Sequence, residues 1–268
     1  MALTKEDLKK QQITTVERQS RGPADITLSE EQYENEGYTH GIDFYLPDRS
    51  VFPGLRPGVL FFFGGGFALG CRHAFRENCK ILAQHGIVCA TADYRISTVH
   101  DSTAADSFRD GAAAWNYFRS RAGEFSMDEE KLFIAGGSAG GMIAWMCGLL
   151  SGVRPYGLVL FNPGVIDHDP DCNDITNIAG TEVDGVPVLN TKSFSGDLPK
   201  MLIMHGEKDH IVFARSIEKM VEFGRENGGD IQLIMYPGMD HGFFNFNRSR
   251  PHFYITTGEM MKFIDEAR

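Results

Sequence analysis

Residues 131–150 read Lys131-Leu132-Phe133-Ile134-Ala135-Gly136-Gly137-Ser138-Ala139-Gly140-Gly141-Met142-Ile143-Ala144-Trp145-Met146-Cys147-Gly148-Leu149-Leu150. Lys131 to Ala135 is a short apolar run that stops at glycine, as a buried strand does. Ala139 to Leu150 is apolar almost all round, which predicts a helix buried on every side. Ser138 sits at the junction with glycine or alanine on either side. A sharp strand-to-helix turn needs such small neighbours, because its backbone passes close to the adjacent strand and helix. The turn projects the Ser138 hydroxyl away from the sheet edge, at the helix N-terminus. There the helix dipole and the free N–H of Ala139 stabilise developing negative charge.

Outward from this turn the same alternation recurs. Val59 to Phe63, Gly86 to Thr91, Gly157 to Phe161, Lys200 to Met204 and Ile231 to Tyr236 are unalternating apolar runs, the pattern of strands covered on both faces. Tyr38 to Leu46 alternates and ends at Pro47, which also suits a strand. Helical spacing places Ala105, Phe108, Ala112, Trp115 and Phe118 on one face of residues 104–121, and residues 213–227 and 253–267 are amphipathic. Strands alternating with helices predict a doubly wound α/β architecture. The 268 residues suggest one domain. Residues 1–37 are read as an N-terminal arm of it, with a short helix over 3–12 and an extended piece over 13–20. About thirty residues between Val165 and Leu198 break the rhythm and are rich in Asp, Asn, Gly and Thr. Directly after a strand, such a segment is a candidate active-site lid, residues 165–198.

Composition limits the partners. A formal charge of −10 argues against nucleic acid and against an anionic membrane surface. The first twenty residues lack the apolar core of a secretory signal, and the five cysteines show neither CxxC spacing nor a paired histidine cluster. The expectation is a reduced, cytoplasmic protein acting on a small molecule, with no metal or organic cofactor. Homo-oligomerisation is left open. Asp167, His168, Asp169 and Asp171 have unconvincing metal-ligand spacing and read better as a solvated loop.

A serine hydroxyl becomes a useful nucleophile when a base takes its proton and a third group orients the base. His241 follows the last apolar run, in Tyr236-Pro237-Gly238-Met239-Asp240-His241-Gly242-Phe243-Phe244. The acid should follow the preceding strand, where His205-Gly206-Glu207-Lys208-Asp209-His210 offers Asp209, with Glu207 as fallback. The chain order Ser138, Asp209, His241 is the one this architecture requires. Phe63-Gly64-Gly65-Gly66-Phe67 supplies backbone N–H groups unobstructed by side chains. No Lys-Ser/Thr pair follows, so a phosphate loop is disfavoured and an oxyanion-binding loop preferred.

Those four segments, together with Asp93-Tyr94-Arg95, resemble the α/β-hydrolase-fold serine esterases from about Tyr38 to the C-terminus. The nearest branches are the hormone-sensitive-lipase-like carboxylesterases and the carbohydrate acetyl- or feruloyl-esterase-like hydrolases. The resemblance implies a mostly parallel central sheet flanked by helices, with a short lid. It implies a catalytic triad of Ser138, Asp209 and His241, and an oxyanion hole formed by the N–H groups of Gly65, Gly66 and Ala139. Phe63 departs from the lipase-like pattern, which usually carries histidine there. The implied reaction is hydrolysis of a carboxylic ester with a short acyl group, an acetylated carbohydrate among the candidates. An amidase, an arylformamidase-like enzyme, a lactonase or an acyltransferase would use the same triad, and a non-catalytic ligand-binding protein is the alternative of another class. Phe67, Leu69, Met142 and Phe243 flank the motifs and are candidates for the substrate pocket, each with core packing as an equally good explanation.

Overall fold

The computed structural model describes residues 26–169, 171, 175–194 and 196–266. The helix expected over 3–12 and the extended piece over 13–20 lie outside them. Among the described residues, eight strands form one sheet: β1 (Ile26–Asn35), β2 (Tyr38–Pro47), β3 (Arg56–Phe62), β4 (Val88–Ala92), β5 (Met127–Gly137), β6 (Gly157–Phe161), β7 (Lys200–Gly206) and β8 (Ile231–Tyr236). Their spatial order is β1-β2-β4-β3-β5-β6-β7-β8. Each neighbouring pair from β4 to β8 is parallel, while β2 runs antiparallel to both β1 and β4. This is the α/β-hydrolase fold.

The unalternating runs have the cause expected of them. Leu60, Phe62, Leu132, Ile134, Leu158, Leu160, Met201 and Ile203 belong to one core, and Val59, Phe61, Phe133, Ala135, Val159, Phe161, Leu202 and Met204 to another. Successive side chains on a strand point to opposite faces, so each strand feeds both cores. The first core is closed by α2 (Ala104–Ser120), α3 (Ala139–Leu150) and α4 (Ala214–Glu226), the second by α1 (Arg76–Ala83) and α5 (Arg250–Asp265). Thr103 caps α2 in a reciprocal capping box with Asp106. Residues 139–148 of α3 are all buried, as its apolar sequence demands. No helix among the described residues is long and apolar enough to cross a membrane.

Two stretches depart from the sequence reading. Residues 26–35, expected within an arm, form the edge strand β1, joined to β2 by a two-residue turn at Glu36-Gly37 with φ of 48° and 82°. Positive φ at both central residues matches the right-handed twist of a hairpin, and glycine takes it without strain. The described residues of the segment 165–198 carry secondary structure of their own. They hold a helical turn (Thr176–Ala179) and a hairpin of Glu182–Val183 with Val186–Pro187. Val183, Val188, Leu189 and Phe194 are buried in the first core. Phe194 packs on Trp145 of α3, with ring centroids 4.8 Å apart. Burying one such ring stabilises the seated segment by about 1.5–3 kcal/mol. Lys219 of α4 adds ion pairs to Asp167 and Asp169 at 3.4 and 2.7 Å.

One polar network crosses the first face. Asp110 on α2 is fully buried and accepts from Arg95 Nε at 2.7 Å, Arg95 Nη2 at 2.8 Å, the Arg95 N–H at 2.9 Å and Asn35 Nδ2 at 2.7 Å. His40 Nε2 lies 3.4 Å from the same carboxylate. The network thus joins α2 to β1, to β2 and to the loop after β4.

Candidate active site

The loops that carry the candidate residues leave the C-terminal ends of β3, β5, β6, β7 and β8, the edge where open α/β sheets bind ligands. Ser138 follows β5 with φ 54° and ψ −121°. A non-glycine residue in such a conformation costs about 1–3 kcal/mol and persists when its surroundings over-determine it. They do so here. The Ser138 N–H donates to the Phe161 carbonyl at 2.9 Å, and its own carbonyl accepts from Gly141 and Gly164 at 2.9 and 3.0 Å.

The small neighbours are required sterically. A Cβ at Gly140 would lie well inside van der Waals contact of the Phe62 and Phe63 carbonyl oxygens, and one at Gly136 would meet the Gly140 carbonyl. These obstacles are backbone and cannot rotate away. Gly140→Ala should therefore lower stability by about 2–3 kcal/mol in urea unfolding. Unchanged stability would mean that α3 can withdraw from β3 at little cost.

His241 Nε2 is 2.9 Å from Ser138 Oγ, and His241 Nδ1 is 2.8 Å from Asp209 Oδ2. In the neutral ring the serine hydroxyl donates to Nε2 and Nδ1–H donates to the carboxylate. Asp209 is almost fully buried, and its Oδ1 accepts from the Ile211 and Val212 N–H groups, both at 2.9 Å. Burial alone would raise its pKa, but the bonds from His241 and Val212 outweigh this and hold the carboxyl below its ordinary value. The neighbouring acids face elsewhere. Asp240 Oδ1 is 2.6 Å from His210 Nδ1, and Glu207 accepts from the Gly238 N–H at 2.9 Å.

Two buried residues that were not candidates in the sequence complete this arrangement, although His205 opens the quoted run 205–210. Asn162, after β6, donates from Nδ2 to Asp209 Oδ2 at 2.8 Å, and its Oδ1 accepts from the Gly242 N–H at 3.4 Å. His205, at the end of β7, is 2.9 Å from the Val212 carbonyl through Nε2 and 3.4 Å from Asn162 Nδ2 through Nδ1. Burial lowers the His205 pKa and keeps the ring neutral, so Nε2 carries the proton and Nδ1 is an acceptor.

The glycine loop after β3 lies against the Ser138 turn. A Cβ at Gly64 would be 2.7 Å from the Gly137 carbonyl oxygen and 3.0 Å from Ser138 Cβ. Gly65 has φ of 130°, beyond the reach of other residues, and its carbonyl accepts from the Ala68 and Leu69 N–H groups. Among the described residues, the N–H groups of Gly65, Gly66 and Ala139 donate to no protein acceptor. Phe63 stacks on Tyr94 at 4.1 Å, and the Tyr94 hydroxyl donates to the Phe63 carbonyl at 2.7 Å. These contacts brace the loop where the lipase-like pattern has histidine.

A cleft of about 560 Å³ opens beside Gly66 and Phe67, walled by residues 102–105 and 177–180, with Ser97 and Glu182 at its sides. Of the four pocket candidates, Phe67 lines this cleft, with φ of 60° and its ring edge on Phe108. Leu69 is largely exposed. Met142 and Phe243 are buried in the first and second cores respectively, and Phe243 packs on Tyr236. A second cavity, lined by Trp145, Leu149, Arg154 and Leu198, lies at the other end of α3.

A hydroxyl whose proton can pass to an imidazole, oriented by a buried carboxylate and adjoining backbone donors, is equipped for acyl transfer. The BD-FAE family model matches residues 42–178, and the dienelactone hydrolase family model matches residues 197–260. A probable isoprenylcysteine alpha-carbonyl methylesterase of Oryza sativa subsp. japonica is 25% identical over 235 residues, 75% of this chain and 53% of that protein. The chain thus spans about half the length of that plant relative. An acetyl esterase of Salmonella dublin is 25% identical over 224 residues, 73% of this chain and 68% of the other. Esterase 2 of Thermogutta terrifontis, solved after phosphoramylation by tabun, matches with a TM-score of 0.79 at 27% identity, over 90% of this chain and 94% of the other. The same esterase with butyrate bound gives a TM-score of 0.78 at 27% identity, over 93% and 95%.

Proposed function

The chain belongs to the BD-FAE family, and from that membership and the contacts of Ser138 we propose that it hydrolyses carboxylic esters of short acyl groups. The observation that carries the reading is the continuous path from Ser138 Oγ through His241 to Asp209, at 2.9 and 2.8 Å. His241 Nε2 takes the hydroxyl proton as Ser138 Oγ attacks the ester carbonyl. The N–H groups of Gly65, Gly66 and Ala139 hold the oxyanion of the tetrahedral intermediate. The C–O bond to the alcohol then breaks, the alcohol leaving with the proton from His241, and an acyl-enzyme remains. Water repeats the sequence and releases the acid. Asp209 holds the productive imidazole tautomer and stabilises the imidazolium that forms in each half-reaction.

Short acyl groups are supported by the acetyl esterase among the relatives and by the butyrate bound to the Thermogutta esterase. The cleft beside Gly66 carries Ser97, Ser102, Thr103, Asn177 and Glu182, which suits a hydrophilic alcohol such as an acylated sugar. A lactone is a second candidate, supported by the dienelactone hydrolase match over residues that include Asp209 and His241. Its alcohol stays tethered to the acyl group, and the chemistry is otherwise the same.

A fluorophosphonate probe should label the protein at Ser138, read by mass spectrometry of the modified peptide; labelling confined to another residue overturns the assignment. In a series of p-nitrophenyl esters from acetyl to octanoyl, kcat/KM should fall beyond butyryl. A rate that climbs towards octanoyl would defeat the short-acyl reading.

A further inference from the structure

Asp209 receives two N–H groups of its own loop on Oδ1, which hold the carboxylate within that loop. Its other oxygen, Oδ2, accepts from His241 Nδ1 and from Asn162 Nδ2, both at 2.8 Å. Asn162 is therefore the closest side-chain tie between the acid and the sheet, His205 Nε2 lying farther off at 3.4 Å from the same oxygen. We propose that Asn162 is a positioning residue for acyl transfer, registering the loops after β7 and β8 against the end of β6 so that His241 faces Ser138. The inference rests on the hydrolytic role proposed above for Ser138 and His241.

Three features single out this amide. First, its orientation is determined by its neighbours. With Nδ2 towards Asp209, one N–H meets the carboxylate and the other faces His205 Nδ1, while Oδ1 faces the Gly242 N–H. The flipped amide would set oxygen against carboxylate and N–H against N–H. Secondly, its backbone is held. Asn162 has φ of 43°, a left-handed conformation that asparagine tolerates better than most residues, and its N–H donates to the Met204 carbonyl on β7 at 2.9 Å. Thirdly, the network closes on itself. His205 Nε2–H donates to the Val212 carbonyl, and the Val212 N–H donates to Asp209. Asn162 is fully buried, as is His205, so no water competes for these bonds from bulk solvent.

The position matters because Gly242 directly follows His241. One side chain thus contacts the acid and the backbone next to the base, and it springs from the strand beside the one that delivers Ser138. Displacing a catalytic group by about 1 Å costs on the order of 100-fold in rate. Asn162 holds two such groups in register without touching the reacting atoms.

Asn162→Gly keeps the left-handed backbone and removes the amide. It should lower kcat for p-nitrophenyl acetate by about 10- to 100-fold while KM stays within about 2-fold, because the substrate cleft is untouched. The low-field proton resonance of the His241–Asp209 hydrogen bond should shift, since Oδ2 has lost its second donor at 2.8 Å. Asn162→Ala removes the amide without placing a second carboxyl against Asp209, and it should show the same fall in kcat. It carries the test if the glycine variant fails to fold. Folded variants of wild-type kcat and unchanged resonance would make Asn162 merely structural and overturn the proposal. Ser138→Ala, assayed alongside, separates the two claims: turnover retained there refutes the hydrolytic reading itself, whatever the Asn162 variants do.

Discussion

Ser138→Ala should lower kcat for p-nitrophenyl acetate by about 10⁴- to 10⁶-fold while leaving thermal unfolding unchanged. The size follows from the mechanism: without Oγ no acyl-enzyme forms, and what remains is the contribution of the oxyanion donors and of substrate binding. The constancy of the fold follows from the geometry. Alanine at 138 occupies the same backbone conformation, and the three backbone bonds that hold the turn do not involve the hydroxyl. Only the 2.9 Å bond to His241 is lost, at a partly exposed site. Stability should move by no more than about 0.5–1 kcal/mol. A variant that retains substantial turnover with its fold intact would place the nucleophile elsewhere.

Asp110→Ala should have the largest effect on stability, a loss of about 3–5 kcal/mol in urea unfolding. The cost comes less from the bonds removed than from the charge left behind. The Arg95 guanidinium, buried beneath α2, keeps Glu36 Oε2 at 2.8 Å and Asp106 Oδ1 at 3.8 Å, but the first carboxylate is half exposed and the second is distant, so they compensate weakly. The acidity of Asp110 gives the prediction a pH signature. Burial raises its pKa, yet contacts from His40, Arg95 and Asn35 prevail and hold it well below the ordinary carboxyl value. A carboxyl whose folded pKa is depressed contributes its full stabilisation above its unfolded value of about 3.9, and loses it as pH falls through the folded value. The gap between wild type and the variant, measured by urea titration, should be constant above about pH 5 and close below about pH 4. A gap independent of pH down to acid unfolding would exclude the carboxylate as its source.

The buried strands were legible because both cores demand apolar residues at every position, and a run such as Leu158 to Phe161 can satisfy that demand only between two helical layers. β1 was not legible for the opposite reason. Of Ile26–Asn35 only Tyr33 is buried, and its charged residues suit an unpaired sheet edge, so periodicity carried no signal. The Glu36-Gly37 turn was the available clue. Ser138, Asp209 and His241 stood out because each directly follows a strand in the required chain order. Asn162 follows β6 in the same way, but its bonds reach Asp209 and Gly242, 47 and 80 residues on, and no local pattern encodes that meeting. Met142 and Phe243 show the converse limit. Proximity to a motif in sequence says nothing about which face a side chain takes, and both faces here lead into a core.

The strand order also governs when a working site can exist. Among the described residues β8 is the strand made last, it pairs with β7 at the sheet's far edge, and the loop it carries brings His241. During synthesis the serine turn emerges about a hundred residues ahead of its base. Parallel pairings between distant segments form slowly, and α5 must follow to cover the second core. If His241 is the base proposed above, a chain that has made only the first seven strands should lack ester turnover, and the return of turnover after refolding should report the docking of β8.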